Sequence, residues 1–156
     1  MKKILEKQRT FNTTLKILSS LSKWKLTAAF IPSLTKLLAK VNLALNKPTP
    51  AKDLKELATA WKTLMPPDGQ EHFKISTITD NTAYVEIHLH CPLRGTGKVG
   101  TCHAFMNYDR TLMHKVGGSL TVLESQSNSG ENYCKLAIRK IETPTDDLIP
   151  AHLKTN

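Results

Sequence analysis

The chain changes its hydrophobic period once, at Pro66-Pro67-Asp68-Gly69, and that change limits its fold more than any other feature. Before the turn, apolar residues recur at helical spacing; after it, they alternate with polar ones, as on half-buried strands. Residues 33–46 carry Leu34, Leu37, Leu38, Val41 and Leu45 at i, i+3, i+4, i+7 spacing, with Pro32 just before and Ser33 as the expected cap. Residues 50–65 place Leu54, Leu57, Ala58, Trp61, Leu64 and Met65 on one helical face, with Thr49 as cap and Pro50 in the first turn. Residues 1–31 keep Ile4, Phe11, Leu15, Leu18 and Leu21 on an approximate stripe, while Lys7, Lys16 and Lys23 lie off it. That segment reads either as a helix docked on the core or as one lying on a membrane or partner surface.

Beyond the turn, residues 71–79 and 82–90 read as a hairpin joined at Asp80-Asn81. Ala83, Val85, Ile87, Leu89 and Cys91 share one face of its second strand, and Tyr84, Glu86, His88 and His90 the other. A Gly-rich loop spans 92–101, and a helix over 102–116 is stopped by Gly117-Gly118. Residues 119–126 and 133–142 form a second hairpin around Ser127-Asn128-Ser129-Gly130, and the tail with Pro144 and Pro150 is an irregular strap. The order predicts an α+β fold: N-terminal helices packed on a four-stranded antiparallel sheet with a ββαββ core. Residues 1–46 form a basic amphipathic helical segment and 47–156 the α+β ligand-binding core, within one globular unit.

Charge is uneven. Residues 1–50 carry ten Lys/Arg and one acid, Glu6, whereas 51–156 carry twelve of each sign, so the whole +9 lies in the first third. A nucleic-acid domain would spread basic residues over its reading surface with aromatics between them, and none is expected as partner. An anionic membrane surface suits the basic segment. No apolar run is long enough to span a bilayer, and Glu6, Lys7 and Arg9 fall where a secretory signal would be apolar. Three cysteines without such a signal predict a reducing, cytoplasmic setting with free or metal-bound thiols. The protein is then cytoplasmic, or peripheral to a membrane, and the Asn12-Thr13-Thr14 sequon carries no meaning.

The chemistry concentrates between Cys91 and Cys134. Cys102 opens the helix predicted at 102–116, where unpaired N–H groups and the dipole lower a thiol's pKa. It is the candidate nucleophile, with Asp109 or His103 as acid/base. Cys91, Cys102 and Cys134 with His90 or His103 are a candidate zinc set; the alternative is three buried thiols acting as small hydrophobes. Gly95-Thr96-Gly97-Lys98 departs from a phosphate loop, since Val99 stands where Ser or Thr should hold magnesium. With Arg94, residues Gly95, Gly97 and Lys98 remain a candidate cradle for a carboxylate or phosphate. Glu86, His88 and His90 read as a solvated strand face. Asp109 shares the face of Cys102, Phe105 and Leu112, so it must be paired or line a polar pocket.

Cys91-Pro92, Cys102, Asp109, Gly117-Gly118, Val122-Leu123-Glu124-Ser125, Gly130 and Cys134 together resemble the 4-vinyl reductase-type ligand-binding domain. The same pattern is similar to the L-2-amino-thiazoline-4-carboxylic acid hydrolase family. The resemblance covers roughly the last hundred residues and implies helices on an antiparallel sheet with a buried small-molecule cavity. In the zinc-containing members a cysteine stands eight residues before the last one; here that position is Gln126, so Cys91 or a histidine would have to complete the set.

The reading is a small-molecule-binding domain with its pocket between the sheet and helix 102–116. Its alternatives are a hydrolase of the amino-thiazoline carboxylate type using Cys102 and Asp109, and a peripheral membrane adaptor working through residues 1–31. The partners are a small molecule bearing a carboxylate or phosphate, an anionic membrane surface, and, for a homodimer, a second copy of the chain.

Overall fold

A computed structural model describes Ser20, residues 30–67 and residues 69–154. The helix expected over 1–31 therefore lies, but for Ser20, Phe30 and Ile31, outside the described residues. Among the described residues the α-helices are α1 Ile31–Asn46, α2 Leu54–Leu64, α3 Val99–Phe105 and α4 Asn107–Lys115. The strands are β1 Phe73–Ile78, β2 Ala83–Ile87, β3 Gly118–Glu124 and β4 Cys134–Lys140. All neighbours are antiparallel, in the order β1-β2-β4-β3. The fold is α+β, and the helix expected over 102–116 is two helices that meet at Met106.

α2 starts later than Thr49 and Pro50 suggest. Asp53 is its cap: the carboxylate accepts from the Glu56 amide at 2.8 Å, and Glu56 reaches back to the Lys52 amide at 2.8 Å. Reciprocal capping of this kind satisfies two donors left over at a helix start. Leu57, Ala58, Trp61 and Leu64 are buried, as the stripe predicts. They meet Ala83 and Val85 of β2 and Leu136 and Ile138 of β4 in one core with Leu112, Met113 and Val116. Trp61 packs edge-on to Phe73, with ring centroids 5.2 Å apart. At Gly118 β3 passes close to the helices: a Cβ there would lie 2.9 Å from Leu57 Cδ2 and 3.2 Å from the Arg139 carbonyl.

α1 packs against α3 and α4. Its contacts with α4 and α3 run through Ile31, Thr35, Ala39 and Asn42. The Thr35 hydroxyl donates to the Ala104 carbonyl at 3.2 Å, and Asn42 donates to the Leu64 carbonyl at 3.0 Å and the Tyr108 hydroxyl at 2.7 Å. The leucine stripe faces elsewhere: Leu34, Leu37, Leu38, Val41 and Leu45 are all exposed. Packing on the sheet therefore describes α2 and not the apolar face of α1.

The strap after β4 is tied down by Arg139. Its guanidinium donates to the Thr82 hydroxyl at 2.7 Å, to the Pro144 carbonyl, and to both carboxylate oxygens of Asp147 at 2.5 and 2.7 Å. This two-pronged geometry is the one a planar guanidinium favours. The strap ends in a short 3₁₀ turn, Ala151–Leu153, set against α3 and β3.

Candidate functional site

Three polar residues follow β3 directly after Glu124: Ser125, Gln126 and Ser127. All are buried although they lie in a hairpin loop. Each has a structural task. The Ser125 hydroxyl donates to Cys102 Sγ at 3.1 Å and meets the Ser127 hydroxyl at 3.0 Å. The Gln126 amide N–H points at Cys134 Sγ at 3.4 Å. The Gln126 side chain donates to the Leu89 carbonyl at 2.8 Å, and its oxygen accepts from Arg94 Nε at 2.8 Å and from the Cys91 amide at 3.3 Å. A single loop thus bonds Cys102 and Cys134 and anchors the chain at Cys91.

That anchoring also occupies the Gly-rich loop. The Gly95 and Gly97 amides donate to the Gln126 and Ser127 carbonyls at 2.9 and 2.8 Å. Arg94 is spanned between Gln126 and the Asn132 carbonyl. Positive φ at Gly95 and Gly97 lets the loop turn tightly enough to present these amides. Of the expected anion cradle, the Gly95 and Gly97 amides are thus bonded within the chain, Arg94 braces the loop, and Lys98 is exposed.

The thiols are not activated. The helix carrying Cys102 begins at Val99, and the Cys102 amide already donates to the Lys98 carbonyl, so the residue sits beyond the first unpaired turn. Burial dominates and pushes the Cys102 thiol up, against the smaller effect of the Ser125 hydroxyl. Burial also raises Cys91, and it takes Cys134 up to about 12. The helix-lowered thiolate expected at Cys102 does not form for these two reasons: the residue lies past the unpaired first turn, and burial raises its thiol. At neutral pH all three are thiols.

Asp109 is buried and accepts from the Trp61 indole N–H at 2.9 Å. Desolvation lifts its carboxyl to about 6, although the indole and its own amide favour the charged form. His103 lies at the edge of α3 with its ring 3.8 Å, centroid to centroid, from that of His152 in the strap. Desolvation, then Arg110 and His152, lower it to about 4, so its imidazole is neutral near pH 7. Cys102 thus has a serine for hydrogen-bond partner, while Asp109 and His103 are engaged with Trp61 and His152.

The zinc set does not assemble. The three thiols lie near enough to influence one another's ionisation. Yet among the described residues no three His, Cys, Asp or Glu side chains converge as metal ligands must. His90 is exposed beyond the end of β2. His88 pairs instead with Glu86 at 2.8 Å and stacks on Tyr133.

One small cavity adjoins Cys102. Val99, Cys102, His103, Val122 and Ser125 line it, together with Ala151 and His152 of the strap. Its volume is about 10 Å³, near the space one water needs. The pocket expected between the sheet and the 102–116 helices is otherwise filled by Leu112, Met113, Val116, Leu120, Leu136 and Ile138. Ser125, Ser127, Gln126 and His152 were not legible as site residues. A polar run between strands reads as a solvated turn, and nothing local in the sequence reports its burial. No protein-family model, curated protein or solved structure matches the chain.

Proposed function

We propose that this protein is a small-molecule-binding module whose site is the Cys102–Ser125 pocket, opened by movement of the strap. One observation carries the reading: a cavity lined by a thiol, a buried hydroxyl and two valines has Ala151 and His152 of the strap's 3₁₀ turn in its wall. Core that serves stability alone gains little from burying Ser125 and Ser127 against Cys102, because polar groups cost free energy to desolvate. A short 3₁₀ turn is the part of such a wall that costs least to displace. The ligand's polar end would meet the Ser125 hydroxyl and Cys102 thiol, and its apolar body Val99 and Val122. The resemblance to ligand-binding domains of the 4-vinyl reductase type supports the same reading.

The test is a fragment screen on the full-length protein, read by amide chemical shifts. Hits should move Val99, Cys102, Val122, Ser125 and His152 together, and Ser125→Val should weaken them. A screen in which no fragment perturbs this group, or in which shifts gather elsewhere, would sink the proposal.

A further inference from the structure

α1 presents two faces. Ile31, Thr35, Ala39 and Asn42 hold it to α3 and α4. About a quarter-turn away, Phe30, Leu34, Leu37, Leu38, Val41 and Leu45 form an outward apolar stripe, with exposures of 71%, 37%, 57%, 36%, 51% and 79%. Such a run on one helix is a contiguous patch rather than scattered surface leucines. We infer that this stripe docks the protein in the plane of an anionic lipid surface.

Charge selects that occupant. α1 contains no acidic residue; Lys36 and Lys40 are exposed between the stripe and the buried face, and Lys47 is exposed just past the helix end. The first fifty residues hold ten basic side chains against one acid, and the remainder of the chain is neutral. A second copy would set this positive region against its like, and residues 1–29, themselves basic, would do the same; an anionic bilayer attracts it. Helices that lie in the interface combine an apolar face with lysines at its border. Among the described residues, no helix is long and apolar enough to cross a membrane. The hydrogen bonds of Thr35 and Asn42 fix the helix so that the stripe meets the surface as part of a rigid face. This inference does not rest on the thiol pocket.

The experiment is co-sedimentation of the full-length protein with phosphatidylcholine vesicles, with and without a quarter of phosphatidylglycerol. Sedimentation velocity of the same samples without lipid reports the oligomeric state. Binding should need the anionic lipid, weaken roughly tenfold or more when salt rises from low to several times physiological, and weaken at least tenfold in Leu37→Glu/Val41→Glu. Both positions are exposed, so the variant should keep its circular dichroism and melting temperature. Unchanged binding in the variant would overturn the inference by assigning attachment to residues 1–29 alone. A wild-type dimer that the variant dissociates would overturn it in favour of a second copy. A wild-type monomer that binds no vesicle would overturn it too, leaving the stripe to the chain's own first residues.

Discussion

The indole N–H of Trp61 donates to Asp109 Oδ1 at 2.9 Å, joining α2 to α4 through two buried side chains. A tryptophan in the core needs an acceptor and an acid on an apolar helix face needs a donor, and each supplies the other. The pair still leaves a carboxyl that burial lifts to about 6. An acid with a raised folded-state pKa binds its proton more tightly folded than unfolded. Its stabilising effect is complete below the unfolded value, near 3.8, and is lost as pH rises to about 6. Asp109→Asn keeps an acceptor for Trp61 without a charge. It should stabilise the protein above pH 6, on the order of 1–3 kcal/mol, and the gain should vanish near pH 4. Urea unfolding across this pH range checks it; a loss of stability at pH 8 would show that the carboxylate is better satisfied than its burial implies.

The thiols make a kinetic prediction. Cys102 and Cys134 are buried and Cys91 is half-buried, and burial raises all three. Cys91 should therefore alkylate first with iodoacetamide near pH 8, with Cys134 among the slow sites. Asp147→Asn removes one oxygen of the strap's ionic anchor to Arg139 and should speed labelling of Cys102. Mass spectrometry of timed digests reads each site, and a wild-type Cys102 that labels fastest would contradict the burial account.

Gln126 is the brace of the site. Truncation to alanine strands the Leu89 carbonyl, Arg94 Nε and the Cys91 amide at once. Gln126→Ala should cost about 1–3 kcal/mol, because a buried side chain loses three bonds at once to part-buried partners. The denaturant midpoint measures this directly. A cost below about 0.5 kcal/mol, the level of an ordinary surface change, would mean that water replaces the side chain and the loop holds itself.

How far the sequence can be read differs from element to element. α2 was legible almost residue by residue, since its apolar face has one sheet to meet and Leu57, Ala58, Trp61 and Leu64 all went there. The two hairpins were legible because alternation has only two faces to choose between: Ala83, Val85, Leu136 and Ile138 turned inward. The same argument misleads for α1. Periodicity announces that a helix has an apolar face but not what covers it, and the domain held this helix through Thr35, Ala39 and Asn42 instead.

By itself, then, the amino-acid order determined the α+β class, the helical and strand periods and the concentration of positive charge before residue 51. Those properties depend on neighbours along the chain. The thiol chemistry was decided only by tertiary structure. Cys102 lies near a helix start in sequence, but burial in the fold raises its thiol pKa, against the smaller opposing effect of the Ser125 hydroxyl. Gly95 and Gly97 have the composition of an anion loop, yet their amides are taken by Gln126 and Ser127, about thirty residues away. Desolvation and hydrogen-bond competition are set by groups distant in sequence, so no local pattern could report them.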